Sequence, residues 1–247
     1  MGDMEISTLM GVCGLIVGIL FGALTHRTNF CTMGSISDAI SFGDFRRARA
    51  WLLAIAVSIL GAQFLHYMEA IDITRSIYLG TSLNWTGAII GGSIFGFGMV
   101  LASGCPGRNL VRVGGGDLKA LVVLLFIGVF GYMSLRGLTA PVRAELATLT
   151  SIDLAPAGMT DQHMGTILSG LSGLPAEGAR LALATIIPAI LIVFCFKSAE
   201  FRHSPGYIAV GIGVGLLVTA GWYVTGVWGN DEFDPVQITS LTVSYTH

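Results

Sequence analysis

Six long apolar runs constrain this chain more than any other feature of its sequence. A transmembrane α-helix needs about 20 predominantly apolar residues, and the runs that qualify are 8–25, 50–68, 84–103, 119–136, 179–196 and 205–227. Only 11% of the 247 residues are charged, against about 25% in soluble domains, and the mean hydropathy is +0.76. The sequence therefore predicts an all-α polytopic membrane protein with about six transmembrane helices. It excludes a nucleic-acid binder, a disordered scaffold and an ordinary soluble enzyme.

The basic residues near the ends of these runs are divided unequally between the two sides of the membrane. Four lie on one side, namely Arg75, Arg136, Arg143 and Arg180, and eight lie on the other, namely Arg46, Arg47, Arg49, Arg108, Arg112, Lys119, Lys197 and Arg202. Cytoplasmic loops carry an excess of Lys and Arg, so the side with eight is predicted to be cytoplasmic and the N-terminus periplasmic. Arg46, Arg47 and Arg49 are interpreted as topology determinants.

Two further apolar segments, 29–45 and 163–176, are too short to cross the bilayer. Both are predicted to be re-entrant half-helices. Irregular backbone at membrane depth is tolerated only where protein or a water-filled cavity satisfies its polar groups, so such segments line a pathway. An interfacial amphipathic helix is the alternative interpretation of each segment.

An internal repeat places a cysteine at the centre of each copy. The pattern G-x-x-F-G-x8-C ends at Cys31 and again at Cys105, and a Gly-Asp-apolar-basic turn follows each cysteine. We predict two parallel repeats, about 8–68 and 82–136, followed by a third region, about 163–227, in a single integral membrane domain. Because both cysteine loops face the same side, the two thiols are expected to converge. The repeated glycines are interpreted as helix-packing positions: Gly18, Gly22, Gly92 and Gly96.

Each of these cysteines lies where an apolar run is interrupted, beside an arginine and an asparagine. In Ser103–Asn109, two glycines permit unusual backbone angles and Pro106 prevents a smooth helix. A broken helix exposes backbone N–H groups that hold an anion without a full buried positive charge. The pattern predicts a binding site for a small oxyanion that carries sulfur. Its candidate residues are Cys31, Cys105, Asn29, Asn109, Arg27, Arg108, Gly104 and Gly107.

Other polar residues have simpler interpretations. Cys13 and Cys195 are interpreted as small buried hydrophobic residues. Arg27 and Arg108 have snorkelling at the membrane edge as an alternative to contact with substrate. No pair of histidines has metal-ligand spacing, so we predict no metal site and no cofactor. Asp38 lies within the first re-entrant segment, where capping a turn is an alternative to proton transfer.

The segments Arg27–Gly34 and Gly96–Asn109 resemble the YeeE/YedE family, also called the sulphur-transport domain, and the resemblance is strongest over about residues 10–135. It implies a bacterial inner-membrane protein with an hourglass-shaped helical pathway for thiosulfate, in which cysteines at the constrictions contact the sulfane sulfur. Cys31 and Cys105 match two of those positions.

Members of that family generally continue into a second half with another Gly-Cys motif, which this chain lacks. We therefore expect the chain to be a fragment without that second half. The alternatives are that two chains assemble one pathway or that the hourglass differs in this protein. Three functions stay open: import of a sulfur anion, a sulfurtransferase that forms a cysteine persulfide, and an anion channel that does not depend on cysteine. The expected partners are the lipid bilayer, a sulfur anion and a cytoplasmic sulfur-acceptor protein.

Overall fold

The computed structural model describes residues 6–73, 76, 82–153, 165–166, 169, 176–229, 238 and 240. The helices in this part of the chain are α1 (Ile6–Thr28), α2 (Thr32–Ser41), α3 (Arg46–Tyr67), α4 (Gly92–Leu101), α5 (Pro106–Gly114), α6 (Leu118–Arg136), α7 (Ala140–Thr150), α8 (Ala176–Phe196), α9 (Ala199–Arg202) and α10 (Pro205–Tyr223). A π-helical turn precedes α4 at Gly87–Gly91 and another follows α10 at Val224–Trp228. Two-residue strands, β1 (Ser82–Leu83) and β2 (Ile152–Asp153), pair antiparallel.

The six predicted membrane-spanning runs are confirmed as helical. The structure has six segments that are long and apolar enough to cross a bilayer, and they are Thr8–Ser41, Arg46–Tyr67, Gly87–Gly114, Leu118–Arg136, Gly178–Phe196 and Pro205–Trp228. The chain is thus an all-α polytopic membrane protein. The first and third segments contain the two cysteine-bearing breaks. Helix α7 lies outside the predicted runs.

The buried core lies where α3 packs against α8 and α10. Its central side chains include Ala50, Leu53, Phe201 and Val210. Cys195 is fully buried in this core, and its thiol donates a hydrogen bond to the Arg49 carbonyl at 3.2 Å. The interpretation of Cys195 as a buried residue is confirmed. That of Cys13 is wrong, because Cys13 is partly exposed and lines a small cavity beside α1.

Helices α3 and α10 approach closely because α10 presents glycines to α3. A Cβ atom on Gly211 would lie 2.8 Å from the Ala50 carbonyl oxygen, and one on Gly215 would lie 2.9 Å from that of Ala54. Small residues four apart permit this approach. The prediction that Gly18, Gly22, Gly92 and Gly96 pack helices together was wrong for the described part of the chain. A Cβ on any of them would have no atom of another described helix within 4 Å. Glycines four residues apart indicate a helix face without side chains, but they do not specify which helix packs against that face.

The two repeats break their first helices in the same way. The chain leaves α1 through Asn29, with φ of 51°, and leaves α4 through Ser103, with φ of 55°. Two residues further on, Cys31 and Cys105 are extended and act as the N-cap residues of α2 and α5. The predicted break at each cysteine is therefore present. Whether α2 re-enters the membrane stays a prediction, and the other predicted half-helix, 163–176, lies outside the described residues except for 165, 166, 169 and 176.

The turn that closes each repeat also has a common structure. A glycine with positive φ, Gly43 at 66° and Gly116 at 89°, precedes an aspartate. Asp117 caps α6 by accepting hydrogen bonds from the Lys119 and Ala120 backbone N–H groups at 3.0 and 3.3 Å. The Arg112 guanidinium, 2.6 Å from the Asp117 carboxylate, lowers the pKa of that carboxyl. The pKa of Asp44 is lowered in the same way by its hydrogen bonds with Arg46.

Candidate functional site

The two repeat cysteines form a thiol pair. Their Sγ atoms lie 3.6 Å apart, which allows either thiol to donate a hydrogen bond to the other. Neither cysteine is in a disulfide. The Cys31 residue is 2% exposed, whereas Cys105 is partly exposed. The convergence that the repeat predicted is confirmed.

The thiol pair lies where the N-termini of α2 and α5 meet. Cys31 and Cys105 are the N-cap residues of α2 and α5, and neither side chain accepts a hydrogen bond from the N–H groups of the helix that it caps. The first-turn N–H groups of a helix have no intrahelical acceptor and carry partial positive charge. Two helix N-termini that begin at neighbouring cysteines can therefore stabilise an anion beside the thiols.

The loop before α5 is held in shape by Gly104 and Asn109. Gly104 has φ of +155°, which an L side chain rarely adopts, and a Cβ there would lie 3.1 Å from Cδ of Arg108. Asn109 is fully buried, and its side-chain amide donates to the Gly104 carbonyl at 3.1 Å and to those of Ala102 and Cys105 at 3.4 Å. The structure thus gives Asn109 a positioning role. Its predicted contact with an anion stays a prediction.

Asn29 and Arg108 line one cavity of about 440 Å³. This cavity lies between the end of α1 and the turn that joins α5 to α6, and Arg112 and Asp117 also line it. Gly107 instead lines a neighbouring apolar groove of about 620 Å³ between α1 and α5. Arg27 is exposed and lines none of the described cavities. The structure therefore brings seven of the eight predicted residues around the break region and leaves Arg27 outside it.

The sequence did not indicate where the Arg47 side chain lies. Its role as a topology determinant stays a prediction; in the structure the side chain is only 18% exposed and forms an ion pair with Asp38 at 3.1 Å. Its guanidinium lies over the backbone of Gly34 in the first turn of α2. The available signal was Asp38 itself, because a carboxylate inside an apolar segment needs a cationic partner.

A polytopic helical bundle with two broken helices, two converging thiols and converging helix N-termini has the features of a membrane transport protein. The comparisons with known proteins agree with this class. The chain belongs to the sulphur-transport family, whose model matches residues 27–246, and the resemblance seen in the sequence is thereby confirmed.

Three curated relatives illustrate this membership. The thiosulfate transporter TsuA of Spirochaeta thermophila is 34% identical over 88% of this chain and 68% of that protein. The thiosulfate transporter TsuA of Escherichia coli is 29% identical over 74% of this chain and 46% of that protein. The probable transporter YedE of Salmonella typhimurium is 34% identical over 77% of this chain and 42% of that protein. The chain spans about two thirds of the first relative and less than half of the other two.

Proposed function

We propose that this chain imports thiosulfate, or a closely related small sulfur anion, across the bacterial inner membrane, with its N-terminus in the periplasm. The observation that carries the proposal is the thiol pair, with its 3.6 Å Sγ–Sγ distance, at the meeting point of two helix N-termini. The names of two relatives as thiosulfate transporters support this choice of anion.

The chemistry of the site suits an anion with one soft and one hard end. Thiosulfate carries a terminal sulfur, which a thiol S–H can approach as a weak donor, and three oxygens, which suit backbone N–H groups and the Asn29 amide. In the resting protein one of the Cys31 and Cys105 thiols donates to the other. An arriving anion replaces that contact with one S–H contact from each thiol, and because a thiol is a weak donor, binding stays weak enough for release.

The first test is growth on thiosulfate as sole sulfur source, in a bacterium that lacks its own sulfate and thiosulfate uptake systems. Wild-type chain is expected to support growth and uptake of ³⁵S-thiosulfate, and Cys31→Ala and Cys105→Ala are each expected to lower uptake to background. Cys13→Ala is the matched control, because Cys13 lies outside the thiol pair in a separate small cavity. Immunoblotting of membranes checks that every variant is inserted.

Two other results would contradict the proposal, and each would indicate a different function. Uptake that persists in both cysteine variants would indicate an anion channel in which the cysteines are a passive lining. A persulfide on Cys105, detected by mass spectrometry, would indicate a sulfurtransferase: the thiolate forms an S–S bond to the sulfane sulfur, and the S–S bond of thiosulfate breaks to release sulfite with its electron pair. That reaction requires a cytoplasmic sulfur-acceptor protein as partner.

A further inference from the structure

Two guanidinium groups converge on the first turn of α2, next to the thiol pair. A Cβ atom built on Gly34 would lie 2.5 Å from Nη1 of Arg47 and 3.5 Å from Nη1 of Arg108. The two nitrogens are therefore no further apart than those two distances together. One tetrahedral oxyanion can accept a hydrogen bond from each of two donors at such a separation.

The Arg47 guanidinium has hydrogen-bonding capacity to spare. Its Nη1 is paired with Asp38, but its Nε is buried and has no acceptor within the described residues. A buried donor without an acceptor costs free energy that an oxygen ligand would recover. Arg108 has no carboxylate within ion-pair distance in the same part of the chain. Of the two guanidinium groups beside Gly34, only that of Arg47 forms an ion pair within the described residues.

The repeat explains why the two arginines come from different helices. Arg108 lies three residues after Cys105, and the equivalent position three residues after Cys31 is Gly34. The missing side chain at Gly34 leaves the space that the Arg47 guanidinium occupies from α3. An arginine side chain therefore lies beside the first turn after each cysteine. After Cys105 it is that of Arg108, and after Cys31 it is that of Arg47, which reaches Gly34 from α3.

We propose that Arg47 and Arg108 form a clamp for the oxyanion end of the substrate, while the Cys31 and Cys105 thiols contact its sulfur end. Asp38 competes with the bound anion for Arg47 and so promotes release. The clamp rests on the proposed function and defines its substrate class, which is an anion with a soft terminal sulfur at one end and oxygens at the other. Sulfate offers only the oxygens and binds the clamp without the thiols.

The test is calorimetric binding of thiosulfate and of sulfate to the purified full chain at constant ionic strength. Arg47→Gln is expected to raise the Kd of both anions about ten-fold, because it removes charge-assisted hydrogen bonds. Cys31→Ala is expected to raise the Kd of thiosulfate alone. Asp38→Asn is expected to lower the Kd of both anions, since it removes the competitor. A purely structural Arg47–Asp38 pair would instead weaken binding in both single variants.

Arg46→Gln is the matched control, because Arg46 is the preceding residue, is 43% exposed and is paired with Asp44. It is expected to bind both anions as wild type does. The double variant Arg47→Gln/Asp38→Asn removes both members of the ion pair, so neither is left without its partner and the test stays valid if the single Arg47 variant does not fold. It is expected to bind as weakly as Arg47→Gln.

Three results separate the clamp from the proposed function. Wild-type affinity in the double variant would overturn the clamp and leave thiosulfate import standing. If the double variant loses binding, the clamp is supported. If proteoliposomes with the wild-type chain also accumulate no thiosulfate, import is overturned while the clamp stands. A wild-type chain that binds neither anion would overturn both.

Discussion

The buried side chain of Asn109 determines the shape of the broken segment before α5. Its amide donates to three carbonyls of the loop that carries Cys105, and its oxygen accepts from Arg112 at 3.4 Å. Backbone carbonyls released by a helix break need such donors inside a membrane protein. The position of Cys105 relative to Cys31 therefore depends on Asn109.

We expect Asn109→Ala to destabilise the protein by about 1–3 kcal/mol, because it leaves buried carbonyls without a donor. Thermal unfolding in detergent measures the loss. Leu110→Ala is the control, since Leu110 is the next residue and is 61% exposed. Its unfolding midpoint is expected to stay near that of wild type. Equal midpoints for the two variants would remove the positioning role of Asn109.

The sequence predicted which two cysteines lie together but not which side chains surround them. Cys31 and Cys105 could be chosen because both interrupt an apolar run at equivalent positions of the repeat. Arg47 could not be chosen from the sequence. An arginine at a membrane edge has the same sequence pattern whether its side chain contacts lipid headgroups or folds back over Gly34. Only the direction of α3 relative to α2 distinguishes the two cases.

The helices themselves were predictable, because a run of apolar residues of sufficient length has few alternatives in a bilayer. It was harder to predict which helices pack against one another. Gly211 and Gly215 pack α10 against α3, whereas Gly18 and Gly22 face an open groove, although both pairs have the same four-residue spacing. Spacing indicates that a close approach is possible. The partner depends on side-chain volumes on several helices together.

At the contact between α3 and α10, Gly215→Ala is expected to lower stability by about 1–3 kcal/mol, because overpacking a close contact forces backbone to shift. A Cβ at this position would lie 2.6 Å from Cβ of Val57 and 2.9 Å from the Ala54 carbonyl oxygen, and neither atom is the end of a flexible side chain. The measurement is the unfolding midpoint in detergent. Gly206→Ala on the same helix meets nothing within 4 Å in the described structure and serves as control. A wild-type midpoint for Gly215→Ala would show that the two helices are not in close contact.

Across the whole molecule, basic residues from separate helices gather at one end. Cζ of Arg46 lies 5.9 Å from the centre of the Tyr207 ring at the start of α10, and Cζ of Arg49 lies 5.2 Å from that of Phe194 near the end of α8. Arg108 reaches the same end through its position beside Gly34. Arg46, Arg49 and Arg108, which the sequence places on the same side of the membrane, therefore lie at the same end of the molecule. This end is expected to face the cytoplasm, since positive residues accumulate there.

Orientation can be measured with cysteines placed at the two ends of α6. Lys119→Cys and Arg136→Cys are both at exposed positions, and each removes one positive charge, so the two variants are matched. In intact cells with a permeable outer membrane, a membrane-impermeant maleimide is expected to label Arg136→Cys at once and Lys119→Cys only after the inner membrane is opened. Wild-type chain gives the background from the four native cysteines.

The same measurement fixes the direction in which the clamp would act. With residue 119 inside, an anion entering from the periplasm meets the thiol pair from the side opposite the basic end, and Arg47, Arg108 and Asp38 lie on its way out to the cytoplasm. Labelling of Lys119→Cys in intact cells would place them at the entrance instead. Asp38 would then oppose the entry of an anion rather than promote its release, so Asp38→Asn would speed uptake at low thiosulfate concentration. Measuring orientation and the Asp38 variant together therefore determines whether the basic end captures or releases the substrate.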